Sequence, residues 1–282
     1  MKISTLSIVA GTGACNASCP FCVSKMTGNT VFLLRKINHR NLNKAILFAE
    51  QSGVSTVLIT GKGEPTLYPD QITEYLTLIN NRFPFIELQT NGLTIERDLT
   101  LVNRLSCWRD LGLSTVSISI VSNLLGINGD IAGLAEDVPE IIRRVHSCGL
   151  SVRINCTLIK DILWTPEDVK RLCEWCKKNE VEQLTIRPVA EPEVTEDKNV
   201  SEWVEEHTLN FEEMQAIEDE FLSKGKLLME LPHGALVVDY QGQNLCINNC
   251  LTLPVKDEIR QLIFFPDGHL YYDWTYKGAI LL

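Results

Sequence analysis

Short apolar runs of β-strand character alternate with amphipathic helical stretches over roughly the first 190 residues of this chain. Six runs have the composition of strands, and they read TLSIVA, TVLIT, FIELQ, TVSISI, SVRINCTLI and QLTIRPV. The helices between them have readable ends: an apolar stripe from Leu42 to Ala49 stops before Gly53, and Thr165-Pro166 opens another helix with Asp168 at its third position. This alternation predicts parallel strands joined by right-handed crossovers.

Polar residues occupy one side of several of these runs. In SVRINCTLI, Arg153, Asn155 and Thr157 alternate with apolar residues, and Ser117 and Ser119 do the same one strand earlier. Strands covered by helices on both faces would be apolar on both. The pattern therefore favours an α/β fold in which six βα units curve into a partial (β/α)6 TIM-type barrel with a polar interior. Edge strands that face water, or a doubly wound sheet, are the alternatives.

The residue pattern and the distribution of charge divide the 282 residues into three predicted segments. Residues 1–190 carry the βα units, 191–226 form an acidic linker with a helix-like run, and 227–282 form a small β-rich extension with antiparallel strands. Most of the net charge of -10 comes from the twelve acidic residues between Glu191 and Glu220, and we interpret that segment as a solvated connector and surface helix. No basic stripe, signal segment or membrane-length apolar run is present, so we expect a cytoplasmic protein that binds neither membrane nor nucleic acid stably.

Three cysteines lie within eight positions in GACNASCPFC, in a C-x3-C-x2-C pattern. A structural zinc site usually takes four ligands, so Cys15, Cys19 and Cys22 alone would leave one coordination position open. Three thiolates on one loop instead suit a cubane iron-sulfur cluster whose fourth iron has no protein ligand. A zinc loop completed by a distant His or Cys is the alternative.

A glycine-containing turn, Gly61-Lys62-Gly63-Glu64-Pro65, follows the second predicted strand. Glycine lets backbone groups approach a ligand closely, and the carboxylate of Glu64 could meet a cationic amine. Parallel α/β folds place their active sites at the carboxyl ends of the strands, where both this turn and the cysteine loop would lie.

The cysteine loop and this turn together resemble the radical S-adenosylmethionine (radical SAM) superfamily, in the branch of the molybdopterin-precursor cyclase and the peptide maturases. The resemblance covers residues 1 to about 190. It implies that Cys15, Cys19 and Cys22 hold a 4Fe-4S cluster, whose open iron binds S-adenosylmethionine. It also implies that Gly63, Glu64 and Pro65 bind the methionine amino group. Lys62 stands where many members have glycine.

Four further residues match cofactor-contacting positions of that family. Phe21 would lie by the adenine, Ser119 by the ribose or methionine, and Arg153 and Asn155 on a cofactor-contacting strand. The segment QTNG at 89–92 resembles the end of the family's third strand, without an assigned role.

The resemblance implies reductive cleavage of S-adenosylmethionine to a 5'-deoxyadenosyl radical, which abstracts hydrogen from a small-molecule, nucleotide or peptide substrate. An electron donor such as flavodoxin or ferredoxin would be a partner. Cys246 and Cys250 could contribute to an auxiliary cluster, although buried free cysteines are common. The alternative function is a non-catalytic iron-sulfur or zinc protein that uses the loop for structure or electron transfer.

Overall fold

A computed structural model describes residues 2–27, 36–192, 195–231, 233–248 and 258–282. The strands are β1 (Lys2–Val9), β2 (Thr56–Thr60), β3 (Phe85–Thr90), β4 (Thr115–Ile120), β5 (Ser151–Leu158), β6 (Gln183–Pro188), β7 (Lys226–Glu230), β8 (Leu236–Tyr240), β9 (Gln243–Ile247), β10 (Glu258–Phe264) and β11 (Leu270–Tyr271). The α-helices are α1 (Val23–Met26), α2 (His39–Gln51), α3 (Pro69–Ile79), α4 (Leu93–Arg97), α5 (Leu99–Asp110), α6 (Ile127–Ala132), α7 (Val138–Ser147), α8 (Pro166–Lys178), α9 (Lys198–His207) and α10 (Phe211–Lys224).

Strands β1 to β6 are neighbours in chain order and pair in parallel, as the alternation predicted. The helical predictions hold locally as well. Helix α2 buries the expected stripe, and Thr165 and Asp168 form the reciprocal hydrogen bonds of a capping box at the start of α8. The sheet does not close on itself, so the fold is the partial barrel that the sequence predicted.

One face of the sheet packs under the helices, and the other, here called the inner face, is polar. Val116, Ile118, Ile154 and Ile186 belong to the main core and are fully buried. The alternate positions, which include Ser119, Asn155 and Thr185, project from the inner face. The expectation of a polar interior is therefore met in β4, β5 and β6.

The strands after residue 226 contain antiparallel pairs as expected, but they do not form a separate sheet. β9 adds in parallel to β6 and is followed outward by β8 and β7, while β10 adds in parallel to β1 and is followed by β11. An edge strand leaves a row of backbone N–H and C=O groups unpaired. The last part of the chain satisfies those groups at both edges of the barrel, and the boundaries near 190 and 226 stay predictions.

The acidic segment is more than a solvated connector. It forms α9 and α10, and each helix buries an apolar stripe, with Val200 and Val204 inside α9 and Ile217 and Phe221 inside α10. Helix α10 packs on α8 and β8, and α9 packs on α1. Several acidic residues, among them Glu202, Glu205 and Glu212, are exposed, whereas Glu213 and Glu220 pair with Lys160 and Lys170. The high acidic content therefore obscured the amphipathic pattern in the sequence. No helix of the described ranges has both the length and the apolar character needed to span a membrane.

Candidate functional site

The cysteine loop follows β1 and lies at the carboxyl end of the sheet. Cys15 is exposed, while Cys19 and Cys22 are half-buried. The loop is attached to helix α6, because Ser18 donates its backbone N–H to the carbonyl oxygen of Ala132 at 2.9 Å. The Sγ atom of Cys19 lies 3.6 Å from the same oxygen. Tertiary contacts therefore position this loop.

Burial and neighbouring groups raise the pKa of two of the three thiols, Cys19 and Cys15. Burial raises the pKa of Cys19 to about 12, and the neighbouring Cys22 and Cys15 add to the rise. Burial also raises the pKa of Cys15, with further contributions from Glu64 and Cys22. Three thiolates this close repel one another, so the donor set suits a bound cationic group that favours their deprotonated form.

Within the described ranges, no set of three or more His, Cys, Asp or Glu side chains is arranged to hold a metal ion. In a cubane cluster each thiolate binds a different iron, so its ligands stand further apart than the ligands of one ion. The loop supplies three soft sulfur donors from adjacent turns of backbone, which is the donor chemistry that such a cluster uses.

The turn Gly61 to Pro65 packs directly on the cysteine loop. A Cβ atom added to Gly63 would lie 2.0 Å from the carbonyl oxygen of Ala14, so only glycine fits here. The backbone N–H of Glu64 donates to that same oxygen at 3.0 Å. The two motifs, 40 or so residues apart in sequence, thus form one contiguous surface.

The carboxylate of Glu64 is buried and is used by the protein itself. Its Oε1 atom accepts hydrogen bonds from the N–H of Thr66 at 3.0 Å, the hydroxyl of Thr66 at 2.6 Å and the hydroxyl of Thr90 at 2.7 Å. Its Oε2 atom accepts from the N–H of Asn91 at 2.8 Å. Three of these four hydrogen bonds end on Oε1 and one ends on Oε2, so the protein itself uses most of the acceptor capacity of this carboxylate. Direct contact between Glu64 and an amine stays a prediction, and backbone groups of the turn are further candidates.

Asn91 connects the turn to the cysteine loop. Besides its bond to Glu64, its Nδ2 donates to the Oδ1 of Asn16 at 2.8 Å and lies 3.8 Å from the Sγ of Cys15. Hydrogen bonds to cluster sulfurs influence the reduction potential of iron-sulfur clusters. The segment QTNG showed no such role in the sequence, because the contact depends on how β3 lies against the loop.

Phe21 packs against helix α9. Its ring centre lies 5.6 Å from that of Trp203, and Trp203 stacks on His207 at 3.9 Å. Phe21 is half-buried, which leaves part of its ring for a ligand. Trp203 was missed in the sequence, and its spacing from Val200 and Val204 on one helical face was the available signal.

A polar row crosses the inner face at the level of Ser119. Strand register places Ser119 opposite Asn155, and Asn155 opposite Thr185. The Oδ1 of Asn155 and the Oγ1 of Thr185 are buried and have no hydrogen-bond partner. Buried polar atoms without partners are rare, and they mark positions where a ligand or water supplies the missing bond.

Arg153 does not join that row. It lies two residues earlier in β5, toward the amino end of the strand, and its Nη2 pairs with the Oε1 of Glu87. Both residues line a cavity of about 360 Å³ at the amino ends of β2 to β6. The cofactor contact expected for Arg153 is therefore not supported by the structure, because ion pairing with Glu87 holds its guanidinium at the other end of the barrel.

Lys62 is buried beside the cysteine loop. Its Nζ donates to the hydroxyl of Thr27 at 2.8 Å and lies 5.8 Å from the ring centre of Trp274. Burial lowers its pKa, and the nearby Cys22 and Glu196 oppose that shift. A cation thus stands next to the thiols in place of the usual glycine.

Cys246 and Cys250 are the two residues suggested for an auxiliary cluster. Cys246 is buried on β9 opposite Thr185, and Cys250 lies outside the described residues. Cys148, Cys156, Cys173 and Cys176 are buried in the main core.

Several solved structures share this fold. SuiB of Streptococcus suis, bound to S-adenosylmethionine, matches with a TM-score of 0.63 and 16% identity over 99% of this chain and 62% of that chain. The enzyme anSMEcpe with bound AdoMet matches with a TM-score of 0.63 and 15% identity over 100% of this chain and 74% of that chain. A radical SAM methyltransferase from Sphaerobacter thermophilus matches with a TM-score of 0.51 and 17% identity over 76% of this chain and 63% of that chain.

Identities this low show the fold alone, and this chain spans only about three fifths of the length of SuiB. No curated protein sequence shows significant similarity. The Radical SAM superfamily model matches residues 9–203, which is more than half of the chain and includes the cysteine loop, the Gly-Glu-Pro turn and β2 to β6. This chain therefore belongs to the radical SAM superfamily.

Proposed function

We propose that this enzyme holds a 4Fe-4S cluster on Cys15, Cys19 and Cys22, cleaves S-adenosylmethionine reductively, and abstracts hydrogen from a substrate on the inner face. The observation that carries the proposal is the union of the two motifs, in which Glu64 donates its N–H to Ala14 of the cysteine loop. A loop used only to bind zinc or to carry electrons would not need the turn.

When bound, the cluster supplies the electron that splits S-adenosylmethionine into methionine and a 5'-deoxyadenosyl radical. The chain's own residues would bind and orient S-adenosylmethionine. The turn at Gly63 and Pro65 would accept hydrogen bonds from the methionine amino group through backbone carbonyls, while the carboxylate of Glu64 receives four hydrogen bonds from the protein. Glu64 then acts as a positioning residue that keeps the turn against the loop.

Asn155 and Ser119 would contact the ribose or methionine part of the cofactor. The unpartnered Oδ1 of Asn155 supports this role, since a hydroxyl group could donate to it. Phe21 would contact the adenine with the part of its ring that Trp203 leaves uncovered. This arrangement would hold the radical carbon over the inner face and exclude water from it.

The substrate would be a small molecule, a nucleotide or a peptide. A peptide has specific support, because the structurally similar SuiB is described in complex with its precursor peptide SuiA. A flavodoxin or ferredoxin would supply the electron. An auxiliary cluster is not part of the proposal.

The direct test is to reconstitute the cluster without oxygen, add a reductant and S-adenosylmethionine, and measure 5'-deoxyadenosine. Wild-type protein should form it, and Cys19→Ala should lose it, because the cluster would lose one of its thiolates. Cys107→Ala is the matched control, since Cys107 is exposed on α5 and away from the loop. Substantial 5'-deoxyadenosine formation by Cys19→Ala, or none by the wild type, would reject the proposal.

Trp203 of α9 packs on Phe21 of the cysteine loop, and this contact leads to a second prediction. Trp203→Ala should destabilise the fold by about 2 kcal/mol, less than the roughly 3–5 kcal/mol typical of a buried large aromatic group, because Trp203 is only half-buried. It should also expose the loop at Phe21, so air should destroy the reconstituted cluster faster. Thermal unfolding and the loss of visible cluster absorbance in air measure the two effects.

Phe211→Ala is the control for that prediction, because Phe211 is a nearby aromatic residue that is 76% exposed. It should change neither stability nor cluster lifetime. An unchanged cluster lifetime in Trp203→Ala would show that α9 does not shield the site.

A further inference from the structure

Arg187 is a cation on the inner face that neither the cysteine loop nor the cofactor residues use. It lies near the carboxyl end of β6, where Leu184 and Ile186 are fully buried under the helices and Thr185 and Arg187 project from the opposite face. Arg187 is exposed to solvent, yet desolvation by the surrounding chain is the main cause that lowers its pKa. The side chain is therefore accessible from solvent while protein groups around it desolvate its charge.

No acceptor among the described residues lies within hydrogen-bond or ion-pair distance of Arg187. The charged groups that influence it are Arg153 and Arg260, both cations, and both lower its pKa further. Arg153, by contrast, has Glu87 as its partner. A guanidinium that protein groups desolvate, and that has no acceptor of its own among the described residues, is stabilised when an anion joins it.

A second, independent observation concerns Thr185, which lies two residues before Arg187 in β6. Thr185 is 8% exposed, and its Oγ1 has no hydrogen-bond partner. Register places Arg187 opposite Thr157, and successive residues on one face of a strand are about 6–7 Å apart. The long arginine side chain spans that distance, so a single ligand could contact both Arg187 and Thr185.

We propose that Arg187 and Thr185 form a subsite for an anionic oxygen group of the substrate, either a carboxylate or a phosphate. Arginine binds both groups through two parallel N–H···O bonds, which gives orientation as well as affinity. The threonine hydroxyl would donate to the same anion. This subsite rests on the proposed function, because it assigns the inner face above the cofactor to the substrate.

The test is to measure how fast phenylglyoxal modifies individual arginines in the reconstituted protein, with peptide mass spectrometry as the readout. Two probes distinguish the sources of the anion: pyrophosphate represents a phosphate, and tricarballylate represents a carboxylate. One of them should slow modification of Arg187 about tenfold, the effect of one charge-assisted hydrogen-bonded contact. Arg97, which is exposed on α4, is the control within each sample and should not be protected.

Thr185→Val should raise the probe concentration that gives half-protection by about threefold to tenfold, because one hydrogen bond is lost and the shape is kept. An unchanged concentration would remove Thr185 from the subsite. Protection by neither probe, or protection of Arg187 and Arg97 alike, would overturn the proposal.

A third protection measurement uses S-adenosylmethionine alone in place of the two anionic probes. If it protects Arg187 as well as the anions do, Arg187 binds the carboxylate of the cofactor and the substrate subsite is rejected. Labelling needs no turnover, so absent 5'-deoxyadenosine formation would reject the proposed function and leave this result to be judged separately.

Discussion

Gly63→Ala is expected to separate the Gly-Glu-Pro turn from the cysteine loop. The new Cβ would lie 2.0 Å from the oxygen and 2.5 Å from the carbon of the Ala14 carbonyl, both of them backbone atoms that cannot rotate away. Overpacking of this kind costs about 1–3 kcal/mol. Here the movement that relieves it also breaks the hydrogen bond from Glu64 to Ala14.

We therefore expect Gly63→Ala to retain about tenfold less cluster than the wild type after anaerobic reconstitution, since tenfold corresponds to about 1.4 kcal/mol. Iron and sulfide analysis measures this. Gly13→Ala is the matched control, because it changes a glycine of the same loop at which an added Cβ meets nothing within 4 Å. Equal cluster content in the two variants would show that the turn does not support the loop.

Substitution of Glu64 is expected to destabilise the whole site from within. Glu64→Ala leaves the backbone N–H groups of Thr66 and Asn91 without an acceptor in a buried setting. Each unsatisfied buried donor costs about 1–3 kcal/mol, so the free energy of unfolding should fall by about 3 kcal/mol or more. Chemical denaturation of the protein before reconstitution measures this without any contribution from the cluster.

Glu64→Gln separates the two sides of the carboxylate. The amide oxygen can keep the three donors at the Oε1 position, which places the amide nitrogen against the N–H of Asn91. We expect a loss of about 1–3 kcal/mol, confined to the Asn91 contact. Glu167→Gln, at the largely exposed start of α8, should have no measurable effect.

These variants also distinguish positioning from direct ligand binding. If the carboxylate of Glu64 bound the cofactor amine directly, Glu64→Gln would weaken S-adenosylmethionine binding as well as lower the free energy of unfolding. If Glu64 only positions the turn, the free energy of unfolding should fall and S-adenosylmethionine binding to the folded protein should stay near the wild-type value.

Much of the site was predictable because its two motifs are local. Cys15, Cys19 and Cys22 lie on one loop, and glycines at 61 and 63 adjoin Glu64, so residue type and spacing carried the chemistry. The role of Asn91 was not predictable in the same way. Its contact with Cys15 joins residues 76 positions apart, and it exists only because β3 ends beside the loop.

Arg153 and Asn155 show the same limit within a single strand. Both lie on the polar face of β5, and alternation predicted that shared face. The alternation of polar and apolar residues does not predict which ligand or partner each polar residue meets at its level along the barrel axis. The pairing of Arg153 with Glu87 and the unpartnered Oδ1 of Asn155 separate the two residues into a lower and an upper level.

The sequence by itself determined the βα order, the polar inner face, the thiol loop and the turn that adjoins it, because each depends on periodicity or on neighbours within a few residues. The tertiary structure alone decided that the last strands extend both edges of the barrel, that Trp203 covers Phe21, that protein donors occupy Glu64, and that Arg187 has no counter-charge among the described residues. These features depend on which distant segments meet, and strand register and helix packing set those meetings only when the chain folds as a whole.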